Sequence, residues 1–421
     1  MQVLNWDKTT QKKVTRDYAD IFDPKIFKKV NRILSEVKQR GDLAIRRFTR
    51  EFDGVDLPLK RIAVSQSDIN RAFEKIEVKF VPILKQIMSN VNEYYEKELK
   101  QSFEIRSKDG VYLAKQYKPL ERVGVYVPGG TAPLVSTVYM TVIPAKVAGV
   151  KEIIIATPPN RDTGEINPHI LAVANLLGVN EIYRVGGAQA IGAMAFGTRT
   201  IRKVDKIVGP GNPFVSEAKR QVYGFVDIDM VAGPSEVAII ADSTADPDYV
   251  TCDLLAQEEH VGGIPYLVTP SKKLIDIIRK RVDGGFIIQV KSIAEACDVV
   301  NAIAPEHLEI LTEEPEKVLK SIKHAGAIFL GPYSPAVVGD YIAGPSHVLP
   351  TGGTARYFSP LSASTFIKSS QIISYTKEAL FKSREYVQQL TEMEGLMLHR
   401  ISLEARFVKK NGAAAGEEPK V

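Results

Sequence analysis

The chain holds six histidines in 421 residues, and four of them stand near residues that could share a reaction with them. Ala304-Pro305-Glu306-His307 sets a carboxylate beside an imidazole that titrates near neutral pH, a pair suited to general acid-base work and to activating water. The proline places both at the start of a strand, although a surface Glu-His before a buried strand satisfies the same pattern. Gln257 and His260 lie three apart on a helix that opens near Asp246, so they share a face and could reach one metal. A helix end with a solvated histidine and a capping glutamine fits those two equally. Asp340 and His347 fall in a long stretch of glycines and prolines with little to pack, a composition met more often in functional loops than in cores. Glu394 and His399 form one more acidic-histidine pair, which helix-end electrostatics alone would also explain.

Three glycine-rich turns follow short apolar runs: Tyr126-Val-Pro-Gly-Gly130, Val185-Gly-Gly-Ala-Gln189 and Val208-Gly-Pro-Gly-Asn212. None is the Gly-x-Gly-x-x-Gly dinucleotide fingerprint, and a tight turn accounts for each singly. Together they mark one candidate nucleotide domain, since such loops let backbone N–H groups approach a ligand and the following helix N-terminus favours an anion.

The elements that must position these groups are legible from periodicity. Phe27, Val30, Ile33, Leu34 and Val37 recur at helical spacing within a helical layer over residues 23–101. From residue 123 onward, short β-branched runs at 152–156, 181–185, 206–208, 226–230, 236–241, 266–269, 286–290, 309–311 and 327–330 alternate with helical patterns. Strands separated by helices imply mostly parallel sheets, and these are too many for one sheet. The expected fold is α/β, two Rossmann-like doubly wound domains with parallel sheets plus helical N- and C-terminal segments. The expected division is an N-terminal arm over 1–20, a first α/β domain from 21–125 and 235–361, a second from 126–234, and a C-terminal helical segment with a disordered tail over 362–421.

Composition narrows the function. Apolar residues at 44% and charged residues at 25% describe an ordinary globular chain, which excludes disordered and fibrous classes. A net charge of +5, with no basic cluster interleaved with aromatics, gives no sign of nucleic-acid binding. Two cysteines support neither a disulfide framework nor a thiolate zinc site, so any metal must use nitrogen and oxygen ligands. The uncharged stretch 123–145 has the length of a membrane span, but its glycines and prolines read as strand, loop and helix start. With no signal-peptide pattern at the N-terminus, the expected compartment is the cytoplasm.

As an ordered set, the motifs resemble the histidinol dehydrogenase family over nearly the whole chain, from the Asp53-Gly region to Arg406. The matching stretches are Val123-Gly-Val-Tyr-Val-Pro-Gly-Gly-Thr-Ala-Pro-Leu, Val185-Gly-Gly-Ala-Gln-Ala-Ile, Ile207-Val-Gly-Pro-Gly-Asn, Ala232-Gly-Pro-Ser-Glu, Ala256-Gln-Glu-Glu-His, Ala304-Pro-Glu-His-Leu, Gly339-Asp-Tyr, His347-Val-Leu-Pro-Thr and Glu394-Gly-Leu-Met-Leu-His. The resemblance implies oxidation of histidinol through its aldehyde to histidine with two NAD, the last steps of histidine biosynthesis. It implies one zinc per subunit on Gln257, His260, Asp340 and His399, with Glu306 and His307 as the acid-base pair and His307 neutral at working pH. It points to Tyr126, Gln189 and Asn212 as cofactor contacts and to Ser235, His347 and Glu394 as substrate contacts beside the metal ligands and the acid-base pair. It also implies a homodimer in which the C-terminal segment completes the partner's site. Neither cysteine is needed as a nucleophile, and Cys252 is expected to pack. Two positions depart from the family pattern, Val261 and Ser346. They leave open a relative that oxidises another small polar alcohol or diol, such as a sulfonated one, with NAD and zinc. A non-catalytic zinc-binding protein on this fold is a third reading.

Overall fold

The computed structural model describes residues 1–15, 23–129 and 133–408. The polar tail expected at the C-terminus, residues 409–421, lies outside them, as does Gly130 of the first glycine turn. The chain divides into two compact units, Met1–Leu99 with Pro119–Ile367, and Lys100–Lys118 with Lys368–Val421.

In chain order the strands are β1 (Gln2–Asn5), β2 (Phe103–Arg106), β3 (Val111–Pro119), β4 (Arg122–Tyr126), β5 (Glu152–Thr157), β6 (Glu181–Arg184), β7 (Lys206–Val208), β8 (Asp227–Ile228), β9 (Glu236–Ala241), β10 (Ile264–Thr269), β11 (Phe286–Gln289), β12 (His307–Leu311), β13 (Ala327–Leu330) and β14 (Ile367–Tyr375). The first unit holds two parallel sheets, ordered β6-β5-β4-β7-β8 and β1-β11-β10-β9-β12-β13. Every pairing in them is parallel, and helices bridge the strands, so both faces are covered. Successive residues along a strand feed opposite cores. Val237, Ile239 and Ala241 of β9 enter one cluster while Ala238 and Ile240 enter the other. In the five-stranded sheet Ile153 and Ile155 face one core, and Ile154 and Ala156 the other. That two-sided burial is why these strands read as unbroken apolar runs in the sequence. The doubly wound α/β expectation therefore holds.

The helix Pro24–Arg40 starts as its sequence dictates, with Pro24 in the first turn and the Asp23 carboxylate accepting from the Lys25 N–H at 2.7 Å. It buries Val30, Ile33, Leu34 and Val37. Among its described residues, the stretch 123–145 carries β4 and most of the helix Val135–Val147. No helix among the described residues is long and apolar enough to cross a membrane.

Strand β1, which pairs with β11 although residues 1–20 were expected to form only an N-terminal arm, and the sheet of the second unit escaped the periodicity. The second unit carries a three-stranded sheet ordered β14-β3-β2, whose β2-β3 pair is an antiparallel hairpin. Its strands are largely exposed and mix polar with apolar residues, so neither spacing stood out. After β14, which lies in a stretch read as turning helical, the chain forms the helices Lys377–Lys382, Arg384–Met393 and Met397–Glu404.

Candidate active site

Glu306 and His307 sit at the amino edge of the six-stranded sheet, where β9 and β12 run side by side and His307 pairs in register with Val237. Both are buried. The Glu306 Oε2 accepts the backbone N–H of Glu236 at 3.0 Å, and the hydroxyl of Ser235 also bonds to this carboxyl. His307 Nδ1 lies 3.3 Å from the carbonyl oxygen of Glu236. A carbonyl can only accept, so Nδ1 carries the hydrogen and Nε2 is the nitrogen that gains or loses the working proton. Nε2 faces Asp340 Oδ1 at 3.5 Å, and Glu306 Oε2 lies 3.6 Å from Nδ1.

The electrostatics follow from that placement. Burial pushes Glu306 up, against the opposing pull of His307. Burial would lower His307, but the charges of Glu306 and Asp340 outweigh it and bring the ring up to about 9. Without a cation on Asp340, the two carboxyl groups facing His307 favour its imidazolium form. Burial alone would raise Asp340, yet the hydrogen bond and charge of His307, with the charges of His347 and His260, hold it below its ordinary value.

Asp340 comes from the short helix Ala336–Tyr341, and His347 from the loop after it, with Nδ1 3.0 Å from the Asp340 carbonyl and Nε2 3.4 Å from the Thr137 hydroxyl. Burial keeps His347 below its ordinary pKa. Gln257 lies at the end of the helix Pro247–Glu258, which Asp246 caps as its sequence predicts. His260 is not on that helix: it follows in a turn closed by its own N–H on the Gln257 carbonyl at 3.2 Å. The glycines after it, Gly262 and Gly263, release the chain from the helix before β10.

Among the described residues no three His, Cys, Asp or Glu side chains form a ready metal cluster. The donors nevertheless suit a divalent cation bound through nitrogen and oxygen. The Gln257 amide nitrogen is buried with no partner, and amide nitrogen and oxygen exchange by a flip. His260 is close enough for its charge to act on Asp340. Glu394 and His399 belong to the second unit, Glu394 just after the helix Arg384–Met393 and His399 on Met397–Glu404.

The cofactor candidates gather at the other sheet. Its order makes β4 and β7 the neighbours where chain direction across the sheet reverses, and ligands of doubly wound sheets bind beyond the carboxyl ends of such strands. Tyr126 ends β4, and its hydroxyl accepts the Gly187 N–H at 3.0 Å. Gly209 follows β7 with φ +116°, and a Cβ there would lie 2.2 Å from the Tyr126 carbonyl oxygen, so glycine is required. Gln189 is buried with neither amide atom partnered. Asn212 caps the helix Pro213–Val222, its Oδ1 accepting from Phe214 and Val215 at 3.0 and 3.1 Å, which leaves its NH2 to meet a ligand.

Several residues that shape the site were not singled out in the sequence. Asp53 has a buried carboxylate oxygen with no partner, is pushed up to about 6 by burial, and lies near enough to act on the Tyr126 phenol. Thr157, at the end of β5, also holds an unpartnered buried hydroxyl. Unsatisfied polar atoms around Tyr126 and Gln189 are what a polar ligand would complete. Lys219 and Asp229 form a buried ion pair around Gly209, whose N–H donates to Asp229 at 2.8 Å and whose carbonyl accepts from Lys219 at 2.9 Å. Their spacing of ten residues across a helix gives no periodic signal.

The family model described as histidinol dehydrogenase matches residues 17–407. The chain belongs to the histidinol dehydrogenase family. It is 48% identical over 401 residues to the histidinol dehydrogenase of Clostridium acetobutylicum, covering 91% of this chain and 92% of that one. With the histidinol dehydrogenase of Bacillus cereus it is 46% identical over 415 residues, covering 94% and 96%. The crystal structure of histidinol dehydrogenase from Elizabethkingia anophelis superposes with a TM-score of 0.90 at 36% identity, covering 97% of this chain and 98% of that one.

Within the family, the departures at Val261 and Ser346 are local. Val261 is 95% exposed. The Ser346 hydroxyl accepts the Val348 N–H at 3.2 Å, and its own N–H donates to the Tyr95 hydroxyl at 2.8 Å. Of the cysteines, Cys297 is buried, whereas Cys252 is exposed because its helix turns Val250, Thr251 and Leu254 inward. The packing role expected for Cys252 is therefore corrected.

Proposed function

We propose that this chain oxidises L-histidinol through L-histidinaldehyde to L-histidine with two NAD reduced per substrate, the last steps of histidine biosynthesis. The observation that carries the reading is the buried Glu306-His307-Asp340 cluster in a chain of this family. Gln257, His260, Asp340 and His399 hold one zinc per subunit, a nitrogen and oxygen donor set that leaves room for substrate. Tyr126, Gln189 and Asn212 meet NAD beyond the five-stranded sheet, and Ser235, His347 and Glu394 meet the substrate with the metal ligands and the acid-base pair. When bound, NAD would supply the hydride acceptor and zinc would orient the substrate.

The chain's own groups move the protons. With Asp340 engaged as a ligand, its hold on the His307 imidazolium would weaken and the ring would shift toward its neutral form. His307 Nε2 then takes the hydroxyl proton as hydride leaves the carbon, giving the aldehyde. Glu306, whose burial makes it a stronger base than an exposed carboxylate, takes a proton from the water that adds to the carbonyl, while His307 gives the proton it holds to the carbonyl oxygen and is neutral again. His307 takes a proton from the resulting diol as the second hydride departs, giving the acid. With zinc, NAD and L-histidinol, the purified protein is expected to form NADH and histidine in a 2:1 ratio. Turnover of another alcohol without histidinol would move the reading to the relative with a different substrate.

The family's homodimer is also part of the reading. The segment that carries His399 exposes Met393, Leu396, Met397, Leu398 and Ile401, an apolar surface suited to burial against a second copy. His399 and Glu394 then complete the partner's site. Mixing His307→Asn chains with His399→Asn chains is expected to recover activity in the heterodimers, and no recovery would refute sharing.

A further inference from the structure

Behind the acid-base pair lies a second pair of carboxyl groups that the proposed chemistry does not use. Glu309 is two residues beyond His307 on β12, so both project from the same face of the strand, the face that Leu311 shares with Val250 and Leu254 of the helix Pro247–Glu258. Glu309 is 1% exposed. Its Oε1 accepts the Ala336 N–H at 2.7 Å. Ala336 opens the helix Ala336–Tyr341, whose N-cap, Pro335, offers no side-chain hydrogen bond, so Glu309 supplies the missing acceptor. Asp340 stands one turn further on the same face of that helix.

The other oxygen, Oε2, is buried and has no N–H or fixed O–H donor among the described residues. What meets Glu309 instead is the carboxyl of Asp253, at hydrogen-bonding range and one turn before Gln257 on its helix. Burial raises Glu309 and the neighbouring charge of Asp253 raises it further, while burial also raises Asp253. With Glu309 buried and Asp253 half-buried, two ionised carboxylates facing each other repel, and a proton between them turns repulsion into a hydrogen bond.

We propose that the half-buried Asp253 and the buried Glu309 share one proton as an acid pair that positions Asp340, tying together the helix that carries Gln257, the strand that begins with His307 and the helix that carries Asp340. Both are positioning residues, and the inference rests on the metal reading of Gln257 and Asp340 given above. Its distinctive consequence is that glutamine should replace Glu309, since its oxygen accepts from Ala336 and its NH2 donates to Asp253. Leucine leaves the Ala336 N–H unpaired and the Asp253 carboxyl alone.

The test is zinc affinity, measured by chelator competition on the full chain for the wild type, Glu309→Gln and Glu309→Leu, with folding checked by circular dichroism. Glu309→Gln is expected within about twofold of wild type and Glu309→Leu weaker by roughly tenfold or more, the scale on which partners of metal ligands act. Equal affinity in all three, or an equal loss in both folded variants, overturns the proposal. If Glu309→Leu does not fold, Asp253→Asn decides: it keeps the hydrogen bond and should bind like wild type, and a tenfold loss in both amide variants overturns the shared proton. A wild type that takes up no zinc removes the metal reading, and kcat for histidinol then judges the pair, with a tenfold fall in Glu309→Leu but not in Glu309→Gln as support and equal kcat as refutation.

Discussion

Replacing His307 by asparagine is expected to lower kcat for histidinol oxidation by roughly 10³-fold, within the range that a positioned acid-base group contributes. Asparagine can keep a hydrogen bond to the Glu236 carbonyl, but it has no atom that takes a proton where Nε2 stands. Glu306 cannot substitute, because its carboxylate is held by the Glu236 N–H and Ser235 on the Nδ1 side of the ring. Oxidation of the aldehyde should fall by a comparable factor, since the same nitrogen serves both halves. Steady-state kinetics with each substrate measure this, and a loss under about tenfold would refute the assignment. The substitution also has a pH signature in the metal-free protein. His307 has a folded pKa of about 9, above the ordinary 6.5, so its stabilising contribution is complete below pH 6.5 and is lost as pH rises through 9. Any stability advantage of the wild type over His307→Asn should therefore shrink across that window in thermal melts.

The other large effect is expected far from any proton transfer. Lys219→Met should destabilise the fold by about 3–5 kcal/mol, the cost of leaving one member of a buried ion pair without its partner. Lys219 and Asp229 are both almost fully buried, and between them they satisfy the N–H and the carbonyl of Gly209. Asp229 also accepts the Met230 N–H at 2.6 Å, so it cannot turn toward water when the lysine is gone. The glycine they hold passes against the Tyr126 carbonyl, and weaker NAD binding should accompany the lost stability. Urea denaturation with a titration of NAD tests both, and a loss below about 1 kcal/mol would show that the pair is dispensable.

The two predictions differ in how visible their residues were. Glu306 and His307 were legible because a rare residue stood beside a carboxylate just after a proline, and the parallel sheets because strands buried on both faces are written as β-branched runs. The helix start at Asp246 was similarly local, since a cap bonds to backbone within three residues. Lys219 with Asp229, Asp253 with Glu309, and Asp53 beside Tyr126 were not legible, because each depends on which helix is laid over which strand. The exposed sheet of the second unit was missed for a simpler reason: strands that bury little need no regular alternation.

By itself, then, the amino-acid sequence determined the alternating strands and helices of the parallel sheets, the family, and the inventory of nitrogen and oxygen groups from which a site could be built, all of which rest on short-range patterns. The protonation of His307 was decided only by tertiary structure. Asp340 is 33 residues away in the chain and 3.5 Å away in space, and a charge at that distance in a buried site outweighs the desolvation that the ring would otherwise feel.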